Sequence, residues 1–213
     1  MNNPARDPKD RDWLARIPKT LAACAARFDL VIHPPMTESY AVMSFNYITP
    51  ATRSDGVEVV MKLCYDHGSF LTERDGLRLC SPDGSVALID DDEDLGALLL
   101  ERAMPGVPLS EQSDDEENTR IAAGVMRRFW RPAPREHQLR TVEDWTIDGM
   151  KRHRNRHDGG TGPLPEDLFE QAERMFEELI ETTPERLVLH GDMHHYNILS
   201  AEREPWLSID PKG

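Results

Sequence analysis

From Trp13 to Phe28 the apolar residues Trp13, Leu14, Ile17, Leu21, Cys24 and Phe28 return at helical spacing. Pro18 falls among them, which predicts two short helices, the second with proline in its first turn. Residues 1–12 are polar and read as a flexible N-terminus. The period then changes to two. Tyr40–Thr49 alternates and is aromatic-rich, Thr52–Gly56 has turn chemistry, and Val57–Tyr65 alternates again, which together predict a hairpin. Ser69–Cys80 reads as a helix weakened by Gly76, and Ser81–Gly84 as a turn. Val86–Ile89 and Leu98–Glu101 read as two strands on either side of an acidic turn at Asp90–Asp94.

Met104–Pro108 (MPGVP) has linker composition, and helical periodicity dominates after it: Glu116–Trp130, Thr141–Arg156 and Glu166–Glu181. The last of these carries a stripe of Leu168, Phe169, Ala172, Met175, Phe176, Leu179 and Ile180, which predicts a core-facing side. Gly159–Gly162 lies in the connection before it and lacks the strand and the GK[ST] of a phosphate loop. Short apolar runs close the chain at Leu187–Leu189, Asn197–Leu199 and Trp206–Ile209. The expected class is α+β, with a sheet-rich lobe over 13–103, a helical lobe over 104–213 and a cleft at the hinge near 101–108.

Composition narrows the function classes. The chain has 213 residues, with 25 Lys+Arg against 39 Asp+Glu, a formal charge of −14. That balance disfavours nucleic acid as a partner and suits a cationic small molecule, although ordinary acidic proteins share it. No apolar run approaches the roughly 20 residues that span a bilayer. The opening MNNPARDPKDRDW lacks the apolar stretch of a signal peptide, so a cytoplasmic protein without membrane contact is expected. Cys24, Cys64 and Cys80 are odd in number and widely spaced, unlike a disulfide framework or a zinc motif.

The densest chemistry lies in LVLHGDMHHYNIL, residues 187–199. An apolar run delivers Asp192 into a polar loop, and an amide, Asn197, follows five residues later. Phosphoryl transfer uses such a pair: the carboxylate orients an acceptor hydroxyl and takes its proton, and the amide oxygen holds magnesium on the phosphates. A second metal carboxylate should follow, and Asp210 stands thirteen residues beyond Asn197. Lys62 sits among apolar neighbours in VVMKL. Glu73 on the following helix is its natural partner for anchoring nucleotide phosphates, with Asp75 as a nearby rival. Glu101 to Ala103, at the end of the last strand of the first lobe, could offer backbone groups to adenine.

His190-Gly-Asp192-x-x-x-x-Asn197 followed by Ile209-Asp210-Pro-Lys-Gly213 resembles the aminoglycoside phosphotransferases, a small-molecule branch of the protein-kinase-like fold. SFNYITPATRSDGVEVVMKL (44–63), LTERDGLRL (71–79), ALLLERAMPG (97–106) and IDPKG (209–213) are similar to its streptomycin 6-kinase and hydroxyurea phosphotransferase branch. The likeness implies ATP and Mg2+ as cofactors, Asp192 as catalytic base, His190 as a brace of the loop, Asn197 and Asp210 as metal ligands, and Lys62 with Glu73 as the nucleotide anchor. The activity it implies is transfer of a phosphoryl group to a hydroxyl of an aminoglycoside such as streptomycin, an antibiotic-resistance reaction. The stretch before Tyr47 has no glycine, so amides of Ser39 or Ser44 are expected to replace a Gly-rich loop. Members of the family continue beyond the position of Gly213 with further helices, so the second lobe is expected to be incomplete. Two other readings stand beside the enzyme: a truncated, non-catalytic kinase-like remnant, and a kinase for another small alcohol or amine. A zinc hydrolase built on HGDMHH leaves Asn197, Asp210 and Lys62 without roles.

Overall fold

The computed structural model describes residues 8–35, 46–80, 82–137 and 139–212. The expected strand over 40–45, the Ser39 and Ser44 amides, and Gly213 lie outside the described residues.

Helix α1 (Pro8–Phe28) is continuous. The break expected at Pro18 does not occur, because the missing N–H falls on the solvent side while Ile17, Cys24 and Phe28 bury the opposite face. Residues 8–12, expected to be flexible, are helical, and Asp10 accepts a hydrogen bond from the Tyr65 hydroxyl at 2.7 Å. A short strand that the pattern did not announce, β1 (Leu30–Ile32), follows. The predicted hairpin comes next as β2 (Tyr47–Arg53) and β3 (Glu58–Leu63). With β4 (Leu88–Asp92) and β5 (Ala97–Glu101) these make an antiparallel sheet of order β1-β2-β3-β5-β4. Asp90–Asp92, expected in a turn, belong to β4. There Asp91 pairs with Arg78 at 2.7 Å, and Arg27 reaches Asp90 and Asp92.

The period-2 geometry of β3 sorts its side chains. Val59, Met61 and Leu63 join α1 in one core, with Ala97 and Leu99 of β5. Val60 and Cys64 turn to the other face, where Phe70 and Leu77 of α2 (His67–Cys80) pack on Leu98 and Leu100. Lys62 shares that second face by register, opposite Leu98 and Ile48. The three cysteines are buried free thiols in three different clusters.

Beyond the sheet, the MPGVP segment is not a linker but a strand, β6 (Pro105–Pro108), paired with β9 (Ile198–Ala201) and through it with β10 (Trp206–Ser208). Prolines at both of its ends suit a strand at a sheet edge, and the Val107 amide donates to the Ser200 hydroxyl at 2.9 Å. Helix α3 (Asp115–Phe129) is capped by Asp114, whose side chain accepts from the Glu117 amide. Its buried face, Ala122 and Val125, packs on Leu109 and Ile198. The single helix expected over 141–156 is two, α4 (Val142–Trp145) and α5 (Ile147–Arg156), parted at Thr146. Helix α6 (Glu166–Thr182) has the expected span, but its stripe is not core: Phe169 is buried, while Leu168, Met175 and Leu179 are more than half exposed. The strand pair β7 (Arg131–Pro132) and β8 (Leu187–Val188) leads into the loop with Asp192. The described residues form an α+β chain with a sheet-rich N-terminal part and a more helical C-terminal part. The two parts meet at a bridge between Ser85 and Ser208, where the Val86 amide donates to Ser208 O and the Ser208 amide to Gly84 O. No described helix is long and apolar enough to cross a membrane.

Candidate active site

Lys62 is 1% exposed, and its ammonium donates to both Glu73 carboxylate oxygens at 2.6 and 2.8 Å and to Asp210 Oδ1 at 2.6 Å. Strand register aims the lysine at α2, and helical spacing sets Glu73 on the same buried face as Phe70 and Leu77. Asp75 pairs instead with its neighbour Arg74, so Glu73 is the partner. Burial works against the lysine's charge, but Glu73 and Asp210 outweigh it and raise its pKa. Asp210 moves down because Lys62, and then Lys212, outweigh its own burial. Burial and the Asp210 charge push Glu73 up to about 7 despite Lys62. One ammonium among two buried carboxylates leaves the cluster short of positive charge.

The loop after β8 is built around His190. Its Nδ1 accepts from the Asp192 amide at 3.3 Å, which leaves Nε2 to donate to Ile209 O at 2.9 Å. Phe129 of α3 stands edge-on to the ring at 5.3 Å. Burial holds the imidazole pKa down to about 4, so it stays neutral at pH 7. The backbone returns the contact: the Lys212 amide donates to His190 O at 2.7 Å. Gly191 (φ 74°) and Asp210 (φ 60°) both adopt left-handed backbone, glycine without steric penalty and aspartate with a small one.

Asp192 is half-exposed, with Lys212 Nζ at 3.4 Å and His194 Nε2 at 3.8 Å. Asn197 is buried, and its Nδ2 donates to Asp192 O at 3.1 Å. That bond fixes the amide orientation and leaves Oδ1 as the outward oxygen. Asp210 likewise keeps Oδ2 beyond its bond to Lys62. Two oxygen donors on one rigid loop pair fit a hard divalent cation such as magnesium, which takes few protein ligands. Ile209 N, donating to Asn197 O at 2.9 Å, holds the segments that carry Asn197 and Asp210 together.

The structure therefore brings Lys62, Glu73 and Asp210 into one cluster, and joins it by backbone to His190, Asp192 and Asn197. Glu101 and Ala103 stand apart. The Glu101 amide donates to Ala87 O, and its carboxylate takes the Arg203 guanidinium and the Ala87 amide, so its N–H is not free for adenine. Ala103 packs half-buried against the α2 cluster. Arg203, which also donates to Ser85 O, was not legible in sequence, because an arginine between Glu202 and Glu204 gives no sign of a partner a hundred residues away. Among the described residues no three His, Cys, Asp or Glu side chains converge as zinc ligands would. A cleft of about 750 Å³ opens beside the loop, between α3 and His194–Tyr196, and Asp115, Asn118 and Met193 line it.

Known proteins similar to this chain share a named family. Streptomycin 6-kinase of Streptomyces griseus is 30% identical over 202 residues, 95% of this chain and 64% of that protein. Hydroxyurea phosphotransferase of Kitasatospora aureofaciens is 30% identical over 207 residues, 95% of this chain and 58% of that protein. The chain thus spans about three-fifths of the length of these curated relatives. A solved structure of a thermostable mutant of an aminoglycoside phosphotransferase aligns with a TM-score of 0.49 at 17% identity, over 90% of this chain and 70% of that one. The family model described as aminoglycoside/hydroxyurea antibiotic resistance kinase matches residues 32–213, and the chain belongs to that family.

Proposed function

We propose that this chain transfers the γ-phosphoryl group of ATP to a hydroxyl of a small cationic molecule, with an aminoglycoside of the streptomycin class as the first candidate. The observation that carries the reading is the buried Lys62, bonded to Glu73 and Asp210 and linked through Ile209 and Lys212 to the Asp192 loop. A buried ammonium held by two carboxylates gains little stability over an apolar side chain, and a fixed cation of this kind suits the phosphates of a nucleotide.

In this reading Lys62 binds phosphate oxygens of the nucleotide, and Glu73 keeps it aimed. Asn197 and Asp210 would hold magnesium, which supplies charge neutralisation on the phosphate oxygens. Asp192 accepts the proton of the acceptor hydroxyl as its oxygen bonds to the γ-phosphorus. The bond from that phosphorus to the β-bridging oxygen breaks, and ADP leaves. His190 stays neutral and fixes the loop without exchanging a proton. The cleft beside the loop supports a polar, cationic acceptor. Asp115, an acidic residue, and Asn118 line it.

The test is a coupled ADP-release assay with Mg-ATP and a panel of streptomycin, other aminoglycosides and hydroxyurea. Asp192→Asn should lower kcat by about 10³-fold or more while Mg-ATP still raises the thermal midpoint. Undiminished turnover in that variant refutes the assignment. Nucleotide binding by the wild-type chain without transfer to any acceptor favours the remnant.

A further inference from the structure

Lys212 has no part in the chemistry assigned so far, yet its placement is tightly fixed. Its amide donates to His190 O at 2.7 Å, and three residues earlier Ile209 O accepts from the His190 ring at 2.9 Å. One histidine therefore pins both ends of the turn Ile209–Lys212. Pro211, inside that turn, lies against α2 where Gly76 has no side chain, about 3.7 Å from the position a Cβ would take. With its backbone held from two sides, Lys212 projects its ammonium to 3.4 Å from Asp192 Oδ2, while half its side chain remains exposed.

An exposed ion pair of this length adds little to stability, so the fold does not need it. The ammonium does stand where negative charge accumulates. Its field reaches Asp192, and also Asp210 and Glu73, the two carboxylates that Lys62 serves. A phosphoryl group passing from nucleotide to an acceptor hydroxyl on Asp192 adds further negative oxygens at the same place.

We propose that Lys212 is a catalytic residue that leaves Asp192 when nucleotide binds and contacts the oxygens of the γ-phosphoryl group during transfer. The proposal rests on the phosphotransferase reading above. The lysine forms no covalent bond and gives up no proton. It neutralises charge on the phosphoryl oxygens while the bond to the acceptor oxygen forms and the bond to the β-bridging oxygen breaks. In the resting chain the same ammonium covers the base.

The experiment compares wild type, Lys212→Ala and Lys212→Arg by calorimetric binding of Mg-ADP and of a non-hydrolysable Mg-ATP analogue. A charge-assisted contact to the γ-phosphate corresponds to roughly a tenfold preference for the triphosphate. Wild type should show it, Lys212→Ala should lose it while keeping its Mg-ADP affinity, and Lys212→Arg should retain part of it. The Mg-ADP affinity doubles as the control for folding. In turnover, Lys212→Ala should lose about 100-fold in kcat. An unchanged triphosphate preference in Lys212→Ala overturns the proposal even if kcat falls, since a lysine that only orients Asp192 would behave that way. A wild type with no such preference overturns it too. A wild-type chain that binds neither nucleotide overturns the phosphotransferase reading and this proposal with it.

Discussion

Lys62 with Glu73 and Asp210, and Lys212 with Asp192, bring the same two functional groups together under opposite conditions. The first set is dry: Lys62 and Glu73 are at most 5% exposed in their side chains and bonded at 2.6 to 2.8 Å. The second is wet, with side chains 51% and 39% exposed and 3.4 Å apart. In the dry cluster, desolvation makes each partner depend on the other, so the arrangement has to exist before any ligand arrives. In the wet cluster water screens the pair, and either member can turn to a new partner at little expense. The division suits the proposed chemistry, in which the nucleotide's phosphates meet a fixed cation and the reacting atoms meet groups free to move.

The comparison can be broken most forcefully by removing each lysine in turn. Lys62→Met leaves the buried Glu73 and the partly buried Asp210 without their ammonium and should lower stability by about 3–5 kcal/mol in urea titration. Lys212→Met should change it by less than about 1 kcal/mol in the same titration. Similar losses in the two variants would erase the distinction between them.

A smaller effect comes from His190, which belongs to the dry side. Its pKa is about 4 in the folded chain against about 6.5 when unfolded. Between those values the unfolded chain takes a proton that the folded chain refuses. The histidine's contribution is therefore intact above pH 6.5 and lost progressively as the pH falls toward 4, by about 3 kcal/mol in total. Glu73, pushed up to about 7, acts in the opposite sense, because its protonated form is favoured by the fold. The informative quantity is thus the stability gap between wild type and His190→Asn, which should narrow as the pH is lowered from 7 to 4.5. A constant gap would place His190 in contact with water.

Salt gives the smallest effect. A double-mutant cycle on Asp192 and Lys212 should yield a coupling below about 1 kcal/mol that fades toward zero near 1 M salt, where the screening length is about 3 Å. The Lys62–Glu73 coupling should persist at that salt concentration. If both couplings fade alike, water reaches Lys62.

Much of the dry cluster was legible in the chain. Lys62 stands among apolar neighbours in VVMKL, Glu73 shares a helical face with Phe70 and Leu77, and Asp210 follows Asn197 at the expected spacing, so the three are named by their order in the chain together with local periodicity. The features that escaped depend on partners distant in sequence. Pro18 was read as a break because propensity was counted without the buried residues on the helix face opposite it. MPGVP was read as a linker because its pairing strand, β9, lies about ninety residues away. The stripe of α6 shows the limit of amphipathicity: it marks which face of the helix is apolar but not what that face touches. Here His153 stacks on Phe169 and Arg154 grips Glu173, while Leu168, Met175 and Leu179 remain exposed. The bonds of Glu101 to Ala87 and Arg203 left no sign in the sequence because they are tertiary. The reach of Lys212 to Asp192 likewise follows from a backbone bond to His190, which leaves no trace in spacing.

That bond and its companion from the His190 ring have a consequence for assembly. Residues 190–192 and 209–212 are brought together by one imidazole and one peptide carbonyl. Asp192, the proposed base, and Asp210, a proposed cation ligand, are therefore held in place by the same histidine, so loss of its contacts is expected to displace both. A chain that has lost the His190 contacts is expected to lose both halves of the proposed reactive centre together.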